Sequence, residues 1–354
     1  MNIQIQTNAS DPIQPGMIEP KLYPPSFLDR FMKAVERLPV PYWLTYLALF
    51  ILESAIFHIL SWIDGWLPAY TVNPLLLLFP LWLWGPLAII TYLNSISLGA
   101  LASFAPLLNI QEESMQRLKN EFTTMPTRSV IISGVMWAIV YFIFTWVALQ
   151  TFYGDYKIGT LLTVLIIIEG LVSYSTGSII YYHSIRQLIL VNRTLQLVKR
   201  FNLFQLDPVY AFSLVTARTG MAWMILLSLT LLTFPIQLAP IPILVLLSLQ
   251  LVLAISAFVL PLQIVHHRLV LEKRRLWAEV NQRVESATAQ LHQRLDENDL
   301  SKMIELDHAI MGLNAERDIL AKISTWPWRS GLLTGFLSIT ILPIILFLVQ
   351  LALG

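Results

Sequence analysis

A chain of 354 residues, 56% of them hydrophobic and only 13% charged, against about 25% charged in soluble domains, is that of an integral membrane protein. Its formal net charge of +1 says little about partners, because the charges are segregated along the chain. It has no cysteine, which excludes disulfides, thiol catalysis and cysteine-ligated zinc or iron–sulfur sites.

The leader, 1–40, is polar and spotted with Pro12, Pro15, Pro20, Pro24 and Pro25, a composition that reads as a mobile tail rather than a cleavable signal. Within it, Phe27, Phe31, Val35 and Leu38 recur at helical spacing, so Ser26–Leu38 is expected to lie as an amphipathic helix on the membrane surface. Apolar runs near the roughly 20 residues needed to cross a bilayer follow at about 42–63, 72–93, 129–152, 158–181, 219–238, 242–264 and 328–352. Stretch 94–110 reads as an inward extension of the second span, with Ser95, Gly99 and Ser103 forming a small-residue packing face. The connection 182–218 reads either as the fourth span running on into the cytoplasm or as a surface helix.

Between the sixth and seventh spans lies a charged segment, 265–323. Leu269, Leu276, Val280, Val284, Ala287, Leu291 and Leu295 keep one apolar helical face, and Met303, Leu306, Ile310, Leu313 and Leu320 keep another. Asp296-Glu297-Asn298-Asp299 makes the turn between them, with Asp299 as the expected N-cap of the second arm. The pattern predicts an antiparallel coiled-coil hairpin whose first arm projects roughly 40 Å at 1.5 Å per residue.

Counting Lys and Arg sets the orientation. The leader, the 94–128 and 182–218 connections and the segment from Arg268 to Arg329 hold 22 of the 23 cations, and the alternate loops hold only Lys157. The expected fold is therefore all-α, a polytopic bundle of seven spans with the N-terminus inside and the C-terminus outside. It divides into a leader (1–40), a six-span bundle (41–264), a cytoplasmic hairpin (265–323) and a seventh span (324–354), and it sits in the cell membrane.

Charged residues within apolar spans are the first functional candidates, since burying them costs several kcal/mol without compensation. Glu169 lies mid-span, with Ser173 and Thr176 four and seven residues on, a polar stripe suited to a cation or proton path. The competing reading is an interhelical hydrogen bond. Glu53 shares the first span with His58 but faces elsewhere, so each reads first as a structural contact. At the start of the last span, Trp326, Pro327, Trp328 and Arg329 form an interface anchor. Gly331, Thr334, Gly335 and Ser338, with Gln350 further on, offer a face that lines a pore or packs on a neighbour. Nucleophile elbows, phosphate loops and metal-ligand motifs are absent from the sequence, so no enzymatic activity, cofactor or metal is expected. The hairpin carries nearly as many acids as bases, which argues against nucleic-acid binding and leaves a cytoplasmic protein as a possible docking partner.

Seven spans, long inner connections, tight outer loops and a terminal span after a cytoplasmic helical region resemble the insect odorant and gustatory receptor superfamily. The apolar run Ile345–Val349 followed by Gln350 matches part of that superfamily's last-span pattern. The resemblance implies a homo-oligomer, a tetrameric ligand-gated cation channel whose last span lines the pore. Proton-coupled transport through Glu169 and a membrane scaffold with a docking hairpin are the alternatives. Thr325-Trp326-Pro327-Trp328 after a charged hairpin is also similar to multi-pass prokaryotic membrane proteins, which implies no function.

Overall fold

The computed structural model of the chain describes residues 24–108, 110–151, 159–198, 202–204, 206–234, 241–298, 301–327 and 330–353. They form eleven α-helices: α1 (Phe27–Glu36), α2 (Tyr42–Asp64), α3 (Leu78–Leu108), α4 (Glu112–Thr123), α5 (Thr127–Thr151), α6 (Thr160–Gly177), α7 (Ile179–Gln196), α8 (Asp207–Thr233), α9 (Ile241–Asp296), α10 (Met303–Lys322) and α11 (Ser330–Leu353). Seven helical segments are long and apolar enough to cross a membrane, so the chain is an all-helical multi-pass membrane protein.

The second span does extend to Leu108: a 3-10 turn over Pro74–Leu77 leads into α3, which continues that far. Ser95, Gly99 and Ser103, however, are exposed and touch no other helix as a packing face. Ser95 and Ser103 instead donate to the carbonyls of Tyr92 and Gly99 on their own helix, which satisfies the hydroxyls where no neighbour approaches. The fourth span continues as α7, after a break at Ser178. Of the two readings of connection 182–218, the continuous one holds.

At the centre stands α8, packed on α3, α9 and α11. It is the least apolar of the seven candidate spans and the most buried. Its hydroxyls explain how it tolerates the interior. Ser213, Thr216, Thr219, Ser228, Thr230 and Thr233 each donate to a carbonyl three or four residues back, so no polar atom is left bare. Gly220 lets three helices meet: a Cβ there would press on the Ala254 carbonyl of α9 and the Phe336 ring of α11, both at 2.8 Å. Phe336 in turn stacks on Phe258 at 4.2 Å.

Helix α1 packs one face on the bundle. Leu28, Asp29, Met32 and Val35 are buried, while Phe27 stays exposed. The buried face is thus offset by one position from the Phe27–Phe31–Val35 stripe, because Asp29 is drawn inward. Its Oδ2 accepts from the Ser26 backbone N–H (2.8 Å), the Ser26 hydroxyl (2.7 Å) and the Met125 N–H (3.1 Å).

The sixth span and the first charged arm form one helix of 56 residues, passing through Pro261 without ending. α10 returns alongside it. Lys273 near the root of the arm donates to the carbonyls of Ala321 and Ile323 (3.0 and 2.7 Å), and Arg317 lies over the Trp277 ring at 5.8 Å. This antiparallel pairing gives Arg317, which interrupts the second seam, an aromatic partner. Asp299 lies outside the described residues, and α10 starts at Met303 with Lys302 as its cap, at φ 63° and without a side-chain hydrogen bond. The expected Asp cap is therefore not the one used.

Candidate functional site

The two intramembrane acids meet. Glu53 projects from α2 and Glu169 from α6, and their carboxyl groups come close together. The indole N–H of Trp84 on α3 donates to Glu53 Oε2. Ser173, one turn beyond Glu169, donates to its Oε1 at 2.7 Å. Sequence spacing on α2 alone gave no partner for Glu53, because the partner comes from a helix more than a hundred residues away.

The rest of the expected polar stripe disperses. Thr176 is half-buried and makes none of these bonds. His58 is separate from the acids: its Nδ1–H donates to the Ser54 carbonyl at 2.7 Å, and its Nε2 accepts from the Asn73 N–H at 3.2 Å. Both ring nitrogens are thus used, which fixes the tautomer and ties the loop before α3 to α2. His58 is a structural clasp.

A second constellation was not foreseen. A narrow slot of about 30 Å³ runs between α3, α5, the α6–α7 break, α8 and α9. Its walls are aromatic. Tyr181 stacks on Trp137 at 4.7 Å and on Trp82 at 6.5 Å, and Trp82 stacks on Tyr174 at 6.2 Å. Three polar atoms on its lining residues are buried without a hydrogen-bond partner: Trp137 Nε1, Ser178 Oγ and Gln250 Oε1. These residues are 6%, 1% and 3% exposed, so bulk water does not reach them. Each such orphan costs about 1–3 kcal/mol. They come from α5, the α6–α7 break and α9, and comprise an indole N–H, a hydroxyl and an amide carbonyl. No charged side chain lines the slot. Gln250, a lone amide in an otherwise apolar run, is the one member that spacing could have flagged.

The last span is split between two environments. Gly331, Thr334 and Ser338 lie on an exposed face. Gly335 instead faces the Met221 methyl of α8, and Gln350 donates to the Leu231 carbonyl near the end of α8. Gln350 is therefore a helix-packing contact, not a member of the exposed face. Of the proposed anchor, Trp326 stacks on His266 at 3.9 Å, the Thr325 carbonyl accepts from His266 Nδ1 at 3.0 Å, and Pro327 is buried. The linker into α11 is thus clamped to the root of the α9 arm. Trp328 and Arg329 lie outside the described residues. Among the described residues no group of three or more His, Asp or Glu could hold a metal. Compared with protein-family models, curated proteins and solved structures, the chain finds no match.

Proposed function

We propose that the chain is a ligand-receiving membrane protein of the chemoreceptor-like channel kind, in which the aromatic slot takes a small, flat, uncharged molecule. One observation carries this reading: Trp137, Ser178 and Gln250, which line one slot with several aromatic rings, each hold a buried polar atom without a hydrogen-bond partner. A protein that keeps three buried orphans forgoes stability there, a cost that a ligand with a donor and an acceptor would offset. The slot offers only about 30 Å³, so a one-ring occupant must part its walls, and ordered water is the competing occupant. The exposed face of α11, with Gly331, Thr334 and Ser338, supports assembly of several copies around the last span, as a tetramer in the channel form.

Ser178→Ala separates a ligand site from a merely tolerated defect. It removes an orphan hydroxyl, so the unliganded protein should unfold at the same temperature or a few degrees higher. Stabilisation by the best of a panel of one-ring phenols, amides and alcohols should fall about five- to tenfold in apparent affinity, the worth of one hydrogen bond to an otherwise bare group. A panel that shifts unfolding of neither protein would sink the ligand reading. A purified protein that remains a monomer in mild detergent and passes no cations after reconstitution would sink the channel reading.

The carboxyl pair favours a second reading, proton-coupled transport. Glu169→Gln keeps the shape of the side chain and an acceptor for Ser173 but removes the titratable carboxyl. Under this reading, proton-linked uptake by proteoliposomes should vanish in that variant while folding persists. Uptake unchanged by the substitution would leave the pair a structural contact.

A further inference from the structure

Beyond the slot along α7, that helix and α4 line an open groove of about 320 Å³. Tyr182, Ile185, Arg186, Ile189 and Arg193 line it from α7, and Glu121 from α4. We propose that this groove is a binding site for the phosphate of an anionic membrane lipid, with the lipid's acyl chain lying along Ile185 and Ile189.

Position supports it first. From Thr160, at 1.5 Å per residue, roughly 30 Å of hydrocarbon is crossed by about residue 180. Tyr182 and Arg186 therefore fall at headgroup level. Arg193 lies two turns further, but helical side chains lean toward the N-terminus, so its guanidinium is directed back toward the bilayer. Apolar continuity comes second. Leu161, Val164, Ile168 and Val172 on α6 are exposed, and Ile185 and Ile189 continue that exposed apolar surface on α7. Such a surface is covered by acyl chains, and the groove opens where it ends.

Charge is the third support. Two arginines against Glu121 leave one net positive charge, the complement of a phosphodiester. Arg186 already uses Nη1 to donate to the Thr124 carbonyl at 2.9 Å, which holds its guanidinium at the groove. Arg193 is exposed and has no hydrogen-bond or ion-pair partner among the described residues. An arginine fork matches phosphate oxygens in pairs, as an ammonium does not, and the phenol of Tyr182 adds a neutral donor.

Native mass spectrometry of the full chain in mild detergent tests this, with phosphatidylglycerol, phosphatidylcholine and inorganic phosphate as probes. Phosphatidylglycerol should bind more tightly than phosphatidylcholine of the same chains, and inorganic phosphate at equal concentration should not displace it. Arg193→Gln, an exposed change that leaves the Thr124 contact alone, should weaken phosphatidylglycerol binding about fivefold, the effect of one cation at a membrane surface. Arg283→Gln, on the far α9 arm, is the control and should change nothing. Equal binding of the two lipids, or undiminished phosphatidylglycerol binding by the Arg193 variant, would overturn the site. Displacement by inorganic phosphate would overturn its assignment to a lipid.

Discussion

Gly177→Ala is expected to destabilise the bundle by about 3 kcal/mol, the upper range for overpacking a tight contact, and to be read as a large drop in unfolding temperature. The reason starts with Pro86 in the middle of α3. Proline has no N–H, so the carbonyl four residues back, that of Trp82, loses its helical donor. A Cβ built on Gly177 falls on that same carbonyl oxygen, and it also comes within 3.4 Å of Pro86 Cγ. The freed carbonyl thus points into the space that the missing side chain leaves at the α6–α7 break. Alanine's better helix propensity returns only about 1 kcal/mol, so the clash decides the sign. Pro86→Ala should restore the donor to Trp82 and let its carbonyl turn back into α3. The double variant should therefore be more stable than Gly177→Ala alone, a coupling that a double-mutant cycle measures. Simple additivity of the two changes would show that the contact is not the source of the cost. Because Trp82 and Ser178 both line the aromatic slot, the same contact sets the slot's shape.

What sequence could reveal divides along one physical line. Spans announce themselves by apolar length, and the seven expected runs correspond to the seven candidate membrane helices. A charged arm with two apolar seams likewise had to be helical, and its two halves pair. The centre of the bundle was not legible. Hydropathy ranks α8 last among the spans, yet its hydroxyls satisfy themselves along the helix and its small residues admit close neighbours. The acids were legible one at a time, since a carboxylate in an apolar run stands out, but their meeting depends on how α2 and α6 pack. For the slot even the members were hidden. Trp82, Trp137, Tyr174 and Tyr181 look like ordinary span aromatics until four helices bring them together. Pro86 and Gly177, ninety-one positions apart, carry no mutual signal in a single sequence.

Asp29→Ala should release α1 from the bundle. The carboxylate of Asp29, 1% exposed, receives three donors through Oδ2, two from Ser26 and one from the Met125 N–H. Hydrogen bonds to a charged acceptor contribute about 1.5–3 kcal/mol each, and the Met125 N–H would be left buried and bare. Even a net loss of about 3 kcal/mol raises the detached population about a hundredfold. A helix of ten residues cannot hold itself in water once undocked, so trypsin should cut at Arg30 and Lys33 far faster in the variant, while sites beyond α2 keep their protection. Asp29→Asn keeps a carbonyl acceptor without the charge and should fall between the two. Cleavage at the wild-type rate in Asp29→Ala would show that Leu28, Met32 and Val35 hold α1 by burial alone. The consequence reaches past α1. Consecutive residues in the connection between α4 and α5 are gripped from two sides, Thr124 by Arg186 of the lipid groove and Met125 by Asp29. Loss of the Asp29 bond frees one half of that grip, so phosphatidylglycerol binding should weaken in Asp29→Ala although no groove residue has changed.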